Sequence, residues 1–126
     1  MSIKSIFCSM LALLCACGCK GEGRAAFESV DQAQFALEIA KEGVQIVDVR
    51  TAAEYTEGHI AGAVNIDVNS AEFDSAITKL DKSQTVALYC RSGRRSKVAA
   101  GKVAAAGYKV VELDGGILSW QGEVVR

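Results

Sequence analysis

The sequence contains no proline and only one histidine, and its 14 basic and 15 acidic residues leave a net charge of −1. A chain without proline has no proline-rich linker or stalk. A chain with so little net charge has no general attraction for nucleic acid or for an anionic membrane surface. The length of 126 residues predicts one domain, and a hydrophobic content of 50% is sufficient for a small core.

A distributed set of cysteines is also lacking. Four of the five lie near the start of the chain, at positions 8, 15, 17 and 19, and only Cys90 lies beyond them. A disulfide framework would need cysteines spread through the folded part in pairs. We therefore expect the folded part to have a single thiol, and Cys90 becomes the first candidate for chemistry.

The first twenty residues are typical of an export signal. Lys4 is followed by an almost wholly apolar or small segment, 6–16, which matches the short charged and apolar regions of a secretory leader. It is too short to cross a membrane comfortably, since a spanning helix needs about 20 apolar residues. We predict that residues 1–16 are a signal peptide.

The end of this leader resembles the lipobox of bacterial lipoproteins, in which a small residue precedes the cysteine that receives the lipid. Ala16 precedes Cys17, and Leu13 and Leu14 supply the aliphatic pair. We predict lipidation of Cys17 and a flexible tether over residues 17–26. The predicted location is the cell envelope, at the outer membrane because Gly18 follows the cysteine; a secreted or soluble periplasmic protein with an ordinary leader is the alternative.

From residue 27 onward, apolar strands alternate with helical patterns. Asp31 and Thr51 are predicted helix N-caps, and further helices are predicted over 70–80, over 96–106 and in a short final segment that carries Trp120. The predicted strands are 27–30, 44–49, 63–66, 85–89 and 110–113. The alternation predicts an α/β domain over 27–126, with an open parallel five-stranded sheet covered by helices on both faces.

Cys90 directly follows the strand predicted over 85–89. In an open parallel sheet, ligands bind at the carboxyl ends of strands, against the N-termini of the helices that follow. Gly93 allows the connecting loop to turn inward, and Ser96 is the predicted N-cap of the next helix. We expect the loop N–H groups and the helix N-terminus to form a site for an anion.

Three arginines, Arg91, Arg94 and Arg95, surround the cysteine in the sequence. Nearby cations favour a thiolate and lower the pKa of a cysteine below about 8.5. Such a thiolate needs no adjacent base, and the one histidine, His59, lies in a separate loop. A cysteine buried only for packing gains nothing from three arginines, so we interpret Cys90 as a nucleophile.

Four segments together resemble the single-domain rhodanese family of sulfurtransferases. They cover nearly all of the region after the leader, in the family's order and spacing. The segments are DVR at 48–50 with Glu54 and Tyr55, GHIAGAVNI at 58–66, CRSGRR at 90–95, and LDGG at 113–116 with Trp120. Ala61 and Asp67 stand where the family often has proline, which predicts less rigid loops around the second segment.

The resemblance implies that Cys90 carries a persulfide, taking sulfane sulfur from thiosulfate, a persulfide or a polysulfide and passing it to cyanide or a thiol. It implies no cofactor and no metal, no nucleic-acid partner, contact with a membrane only through the lipid, and a monomer. The residues expected to bind the donor are Arg91, Ser92, Gly93, Arg94 and Arg95. Asp48, Arg50 and Glu54 are expected to be structural, with an ion pair between Arg50 and Glu54, and His59 and Trp120 are expected to be structural as well.

Three other functions fit parts of the sequence. Tyrosine-phosphatase-like enzymes and arsenate reductases use a loop one residue longer that ends in arginine, whereas Ser96 stands at that place here. A binding module that has lost catalysis is a second alternative, although the cysteine and the cationic loop count against it. A thiol redox relay between Cys19 and Cys90 is a third.

Overall fold

The computed structural model describes residues 26–126. The predicted signal peptide, the predicted lipidation site Cys17 and all but the last residue of the predicted tether lie outside the described residues. No helix within 26–126 combines the length and apolar character that crossing a membrane requires.

A five-stranded parallel sheet forms the centre of the domain. The strands of the described residues are β1 (Glu28–Val30), β2 (Val44–Asp48), β3 (His59–Ile60), β4 (Val64–Asn65), β5 (Thr85–Tyr89), β6 (Val110–Leu113) and β7 (Val124–Val125). The order in the parallel sheet is β1-β6-β5-β2-β4, and β3 and β7 form a separate antiparallel pair. The five-stranded parallel sheet is therefore confirmed, and β5, which leads to Cys90, lies at its centre.

Side chains of β5 alternate between the two faces of the sheet, as the geometry of a strand requires. Val86 and Leu88 belong to one buried cluster, whereas Ala87 and Tyr89 belong to the other. The helices are α1 (Gln32–Ile39), α2 (Ala52–Glu57), α3 (Phe73–Ile77) and α4 (Arg94–Ala105).

Each face of the sheet is covered by helices. On the first face, Phe73 and Ile77 of α3 and Ala99 and Val103 of α4 pack in the cluster that contains Cys90. On the second face, Phe35 of α1 is wholly buried, and α1 and α2 contribute to the other cluster. Helices on both faces were predicted, and this arrangement is confirmed.

Two helix starts follow the predicted capping chemistry. The Asp31 carboxylate accepts a hydrogen bond from the Gln34 N–H at 2.9 Å. Thr51 and Glu54 form a complete capping box at the start of α2, in which each side chain accepts from the other residue's N–H. These contacts satisfy backbone donors that have no partner inside the helix.

Three predicted helix boundaries are wrong. The helix predicted from Ser96 begins at Arg94 with Gly93 as its N-cap, so Ser96 lies inside α4 and is buried. The helix predicted over 70–80 contains only Phe73–Ile77, because turns take up the rest of that segment. The predicted final helix is a 3₁₀ turn, Ile117–Ser119, and Trp120 already has extended backbone.

The antiparallel pair of β3 and β7 was not predicted. His59 pairs with Val125 and Ile60 pairs with Val124. Two-residue strands are too short for an alternating pattern, so the sequence gives no local signal for them. Their pairing ties the end of the chain to the segment after α2.

Candidate active site

The Cys90 thiol lies at the carboxyl end of β5, beneath the loop that leads into α4. Cys90 is 1% exposed. Its Sγ accepts a hydrogen bond from the Gly93 N–H at 3.1 Å, and the thiol can donate to Ser96 Oγ, which lies 3.4 Å from the sulfur. The sulfur also lies near the N-terminus of α4, where the helix dipole favours negative charge. The Gly93 N–H and the start of α4 therefore both lie at the sulfur.

The surroundings of Cys90 have opposing effects on its pKa. Burial raises the pKa of the thiol, since a charged sulfur is poorly solvated there. Hydrogen bonds that a thiolate can accept from the Ser96 hydroxyl and from the N–H groups of Ser96, Gly93 and Ser92 lower it, and together they exceed the effect of burial. The net result is a pKa of Cys90 below the ordinary value, so the thiolate forms at a lower pH than it does for a free cysteine.

Gly93 allows the loop to close over the sulfur. Its φ of +105° lies in the left-handed region, which other residues rarely adopt. A Cβ at this position would lie 3.1 Å from the Gly115 backbone nitrogen. The turn at Gly93 aims its N–H at the sulfur and starts α4 immediately afterwards.

Gly116 lets a second segment approach the loop. Its φ is +63°, and a Cβ there would collide with the Arg91 carbonyl. The Ile117 N–H donates to the Cys90 carbonyl at 2.9 Å, and the Leu118 N–H donates to the Arg91 carbonyl at 3.1 Å. The segment resembling the family's closing motif therefore fixes the first two residues of the loop.

The three loop arginines have different surroundings. Arg95 donates two hydrogen bonds to the Glu54 carboxylate, at 2.8 and 3.0 Å. Arg91 and Arg94 are exposed, and within residues 26–126 neither guanidinium has a hydrogen bond or ion pair. Arg95 thus fastens the loop to α2, whereas Arg91 and Arg94 are the loop cations that face solvent.

The Arg95 ion pair also affects Glu54. The guanidinium lowers the pKa of the Glu54 carboxyl to about 2, against a smaller opposing effect of burial. Hydrogen bonds from Thr51 lower the pKa further. One carboxylate therefore caps α2 and holds the active-site loop.

The expected ion pair between Arg50 and Glu54 is wrong. Arg50 instead pairs with Asp48 at 2.6 Å and donates to the Gly58 carbonyl at 2.7 Å. Spacing of four residues brings side chains together only inside a helix. Arg50 precedes the N-cap Thr51, so it lies outside α2.

Asp48 connects several segments behind the site. One carboxylate oxygen accepts from the Arg50 backbone N–H at 2.9 Å, and the other accepts from the Tyr89 hydroxyl at 2.8 Å. The Tyr89 hydroxyl accepts in turn from the Ile60 N–H at 2.9 Å. Asp48 and Arg50, expected to be structural, thus join β2, β5 and β3 by hydrogen bonds.

His59 and Trp120 make contacts away from the sulfur. The His59 ring stacks on Tyr55 with centroids 3.7 Å apart, and its Nδ1 lies 2.8 Å from the Tyr55 carbonyl oxygen. Trp120 packs edge-on against Phe35. Within 26–126 neither residue has a hydrogen bond to the Cys90 sulfur, and no group of three or more potential ligands could hold a metal ion.

Sequence reasoning missed a polar network behind the loop. Glu112 is wholly buried in β6, and its two carboxylate oxygens lie 2.5 Å from Ser96 Oγ and 2.5 Å from Ser29 Oγ. Lys97 Nζ lies 3.4 Å from Glu112 and 2.8 Å from Asp114. The available signal was a glutamate inside a short apolar strand, since a buried strand rarely holds a charge without partners.

Comparison with known proteins agrees with this geometry. The family profile described as a rhodanese-like domain matches residues 31–123. The chain is 36% identical over 80 residues to a sulfurtransferase from Allochromatium vinosum, covering 63% of this chain and 73% of that protein. It is 37% identical over 71 residues to the thiosulfate sulfurtransferase PspE of Escherichia coli, covering 56% of this chain and 68% of that protein.

A solved structure shares the fold as well. A rhodanese-related protein from Thermoplasma volcanium superposes with a TM-score of 0.70 and 28% identity, covering 79% of this chain and 98% of that one. The family match, the two sulfurtransferase relatives and the shared fold lead to one conclusion. The chain belongs to the rhodanese-like domain family, and its relatives include proteins named sulfurtransferases.

Proposed function

We propose that the protein is a sulfurtransferase that carries sulfane sulfur as a persulfide on Cys90. The Cys90 thiolate attacks the outer sulfur of thiosulfate. A new S–S bond forms, the S–S bond of thiosulfate breaks, and sulfite leaves with the electron pair. Cyanide or a thiolate then attacks the outer persulfide sulfur, and Cys90 leaves as a thiolate. A persulfide donor reacts in the same way with a thiolate as the leaving group, and a polysulfide donor releases a polysulfide anion that is shorter by one sulfur.

The observation that carries this proposal is the cradle around the sulfur. The Gly93 N–H points at Cys90 Sγ, and the loop and helix N–H groups lower the pKa of the thiol. The same donors would stabilise an anionic persulfide, as backbone donors stabilise an oxyanion. No proton has to be removed by a base when the nucleophile is already a thiolate.

The exposed arginines of the loop can bind the anionic end of a sulfur donor such as thiosulfate. Arg91 and Arg94 face solvent without protein partners among residues 26–126. A guanidinium binds an oxyanion through paired N–H donors. We propose that Arg91 and Arg94 hold the sulfonate end of thiosulfate, and that Arg95 positions the loop.

A phosphatase activity fits this site less well. Ser96 stands where a phosphatase loop has its arginine, and the Glu112 carboxylate lies 2.5 Å behind the Ser96 hydroxyl. The loop therefore lacks, at this position, the guanidinium that would hold a phosphate through paired N–H donors. We therefore expect no turnover of paranitrophenyl phosphate, and such turnover would favour the alternative.

A donor panel tests the sulfurtransferase proposal. The protein is incubated with thiosulfate, polysulfide or glutathione persulfide, and mass spectrometry should detect one added sulfur on Cys90. Cyanide should then release thiocyanate and restore the original mass. Cys90→Ser should abolish both results. An unmodified protein with all three donors would exclude the proposal and favour a binding module.

We also propose that the protein is anchored to the cell envelope by a lipid on Cys17. The leader resembling a lipobox is the observation that motivates this proposal. Cells supplied with labelled palmitate should incorporate the label into the protein, and Cys17→Ala should remove the label and move the protein to the soluble fraction. Unlabelled wild-type protein would favour the secreted or soluble periplasmic form.

A further inference from the structure

A single hydroxyl proton links Cys90 to the buried carboxylate of Glu112. Ser96 Oγ lies 3.4 Å from Cys90 Sγ and 2.5 Å from Glu112 Oε2. A serine hydroxyl has one proton to donate and lone pairs that can accept. Ser96 can therefore donate to the carboxylate or to the sulfur, but not to both.

The distances favour donation to Glu112 while Cys90 is a thiol. The contact with the carboxylate is the shorter one, and a charged acceptor makes the stronger hydrogen bond. Ser96 then presents a lone pair to the sulfur, which suits a thiol S–H that donates to it. A thiolate needs the opposite arrangement, with the hydroxyl proton turned toward the sulfur.

The groups around Glu112 only partly balance its charge. Ser29 of β1 donates to the other carboxylate oxygen at 2.5 Å. Lys97 of α4 is the only cation within 4 Å of the carboxylate among residues 26–126, and it is shared with Asp114 and with the Gly93 carbonyl. Arg95, whose charge also acts on Cys90, is paired with Glu54.

We propose that Glu112 controls the reactivity of Cys90 by competing with the sulfur for the hydroxyl proton of Ser96. Glu112 is a positioning residue in this scheme, since it acts on the sulfur through Ser96 and touches no substrate. The inference rests on the proposed function only for its biological purpose, which is to control sulfur transfer. While Ser96 donates to Glu112, Cys90 remains a thiol. When the thiolate or persulfide forms, the hydroxyl turns toward sulfur and Glu112 keeps Ser29 and Lys97.

The test measures ionisation of the thiol and needs no sulfur donor. In the full chain, replacing the other four cysteines, at positions 8, 15, 17 and 19, by serine leaves Cys90 as the only thiol. The near-ultraviolet absorbance of the thiolate is then titrated against pH, with Cys90→Ser subtracted. Glu112→Gln keeps the shape of the side chain but removes its charge. We expect its titration midpoint to fall by about one pH unit, and alkylation by iodoacetamide at neutral pH to accelerate several-fold.

The Ser96→Ala variant distinguishes competition for the Ser96 proton from a direct electrostatic effect of the Glu112 charge on the thiolate. In the wild-type background the hydrogen bond that the thiolate gains from Ser96 is lost by Glu112, so Ser96→Ala should raise the midpoint much less than it does when Glu112 is replaced. In the Glu112→Gln background Ser96 donates to the thiolate, so its removal should raise the midpoint by about as much as Glu112→Gln lowered it. Ser29→Ala is the matched control, because it removes a similar bond to Glu112 without touching the path to sulfur, and it should not lower the midpoint.

Several results would overturn the proposal. A midpoint that is unchanged or raised in Glu112→Gln would do so, as would an equal rise on Ser96→Ala in both backgrounds. A fall with Ser29→Ala as large as that with Glu112→Gln would show general loosening of the site. If Glu112→Gln does not fold, a rise of about one pH unit for Ser96→Ala alone would still overturn the proposal, because it would show that Glu112 does not offset the bond from Ser96 to sulfur. These titrations keep their meaning even if the donor panel shows no persulfide.

Discussion

Adjacent arginines of the active-site loop have different surroundings. Arg94 is exposed, whereas Arg95 makes a two-bond ion pair with Glu54. The sequence predicted one cationic set, because three arginines in five residues have the same charge and no pattern says where each guanidinium points. Only the position of α2, which brings Glu54 to the loop, distinguishes them.

Replacing each arginine by glutamine should therefore have a different effect. Arg94→Gln removes a charged donor from an anionic substrate, and the KM for thiosulfate should rise about tenfold, with little change in stability. Arg95→Gln should instead lower the free energy of unfolding by up to about 1 kcal/mol, because a partly exposed ion pair contributes little. Steady-state kinetics measures the KM of Arg94→Gln, and urea unfolding measures the stability of Arg95→Gln. Equal KM values in wild type and Arg94→Gln would contradict a role of Arg94 in binding thiosulfate.

Cys90 and Ser96 show how much of the site could be predicted at this scale. Cys90 could be predicted as a nucleophile from the glycine and the arginines beside it in the sequence, and the structure places its sulfur against the Gly93 N–H. Ser96 was assigned to a helix cap, since serine near a helix start is usually a cap. The left-handed turn at Gly93 starts the helix two residues earlier and turns Ser96 inward.

At the scale of elements, α2 and the active-site loop share the Glu54 carboxylate. Glu54 completes the capping box of α2 and pairs with Arg95 at the start of α4. The capping box could be predicted because its residues lie three apart in the sequence. The contact between Glu54 and Arg95 could not, since the two residues are 41 positions apart.

This pairing predicts a pH dependence of stability. The pKa of Glu54 is lowered to about 2 by Arg95, from a usual value of 4.5. A lowered folded-state pKa stabilises the protein above the unfolded-state value, and this contribution is lost as pH falls from about 4.5 to about 2. The free-energy difference between wild type and Glu54→Gln should be largest at neutral pH and shrink across that range.

Urea unfolding at several pH values measures this difference. Glutamine keeps the capping box, so the variant isolates the charge. Glu57→Gln is the matched control, since Glu57 lies at the other end of α2 and has no ion pair among residues 26–126. A difference that stays constant between pH 7 and the acid limit of folding would show that the ion pair does not stabilise the loop.

At the scale of the whole molecule, the candidate nucleophile and the hydrogen-bond network of Asp48 and Tyr89 lie on opposite faces of the sheet. Cys90 belongs to the cluster on one face and Tyr89 to the cluster on the other, because neighbouring residues of a strand point in opposite directions. The five parallel strands and the helices on both faces could be predicted from the alternation of apolar segments, whereas the order of the strands in the sheet was not predicted. The pairing of β3 with β7 could not be predicted, because each strand has only two residues and Ile60 and Val124 are far apart in the sequence.

The Tyr89 hydroxyl is expected to contribute to stability through its two buried hydrogen bonds. It donates to Asp48 and accepts from the Ile60 N–H, and Tyr89 is wholly buried. Tyr89→Phe leaves the Ile60 donor without a partner and removes a donor from a buried carboxylate. The free energy of unfolding should fall by about 1–3 kcal/mol with an unchanged urea m-value, while sulfur loading of Cys90 stays close to wild type.

Tyr108→Phe provides the comparison for this variant. The Tyr108 hydroxyl is also buried, but it donates to the carbonyls of Ile77 and Leu80 and supports no charge. Its removal should cost less than that of the Tyr89 hydroxyl, because hydrogen bonds to charged groups are the stronger ones. If Tyr89→Phe instead abolished sulfur loading at unchanged stability, the face opposite Cys90 would take part in the chemistry, and the division between support and reaction would be wrong.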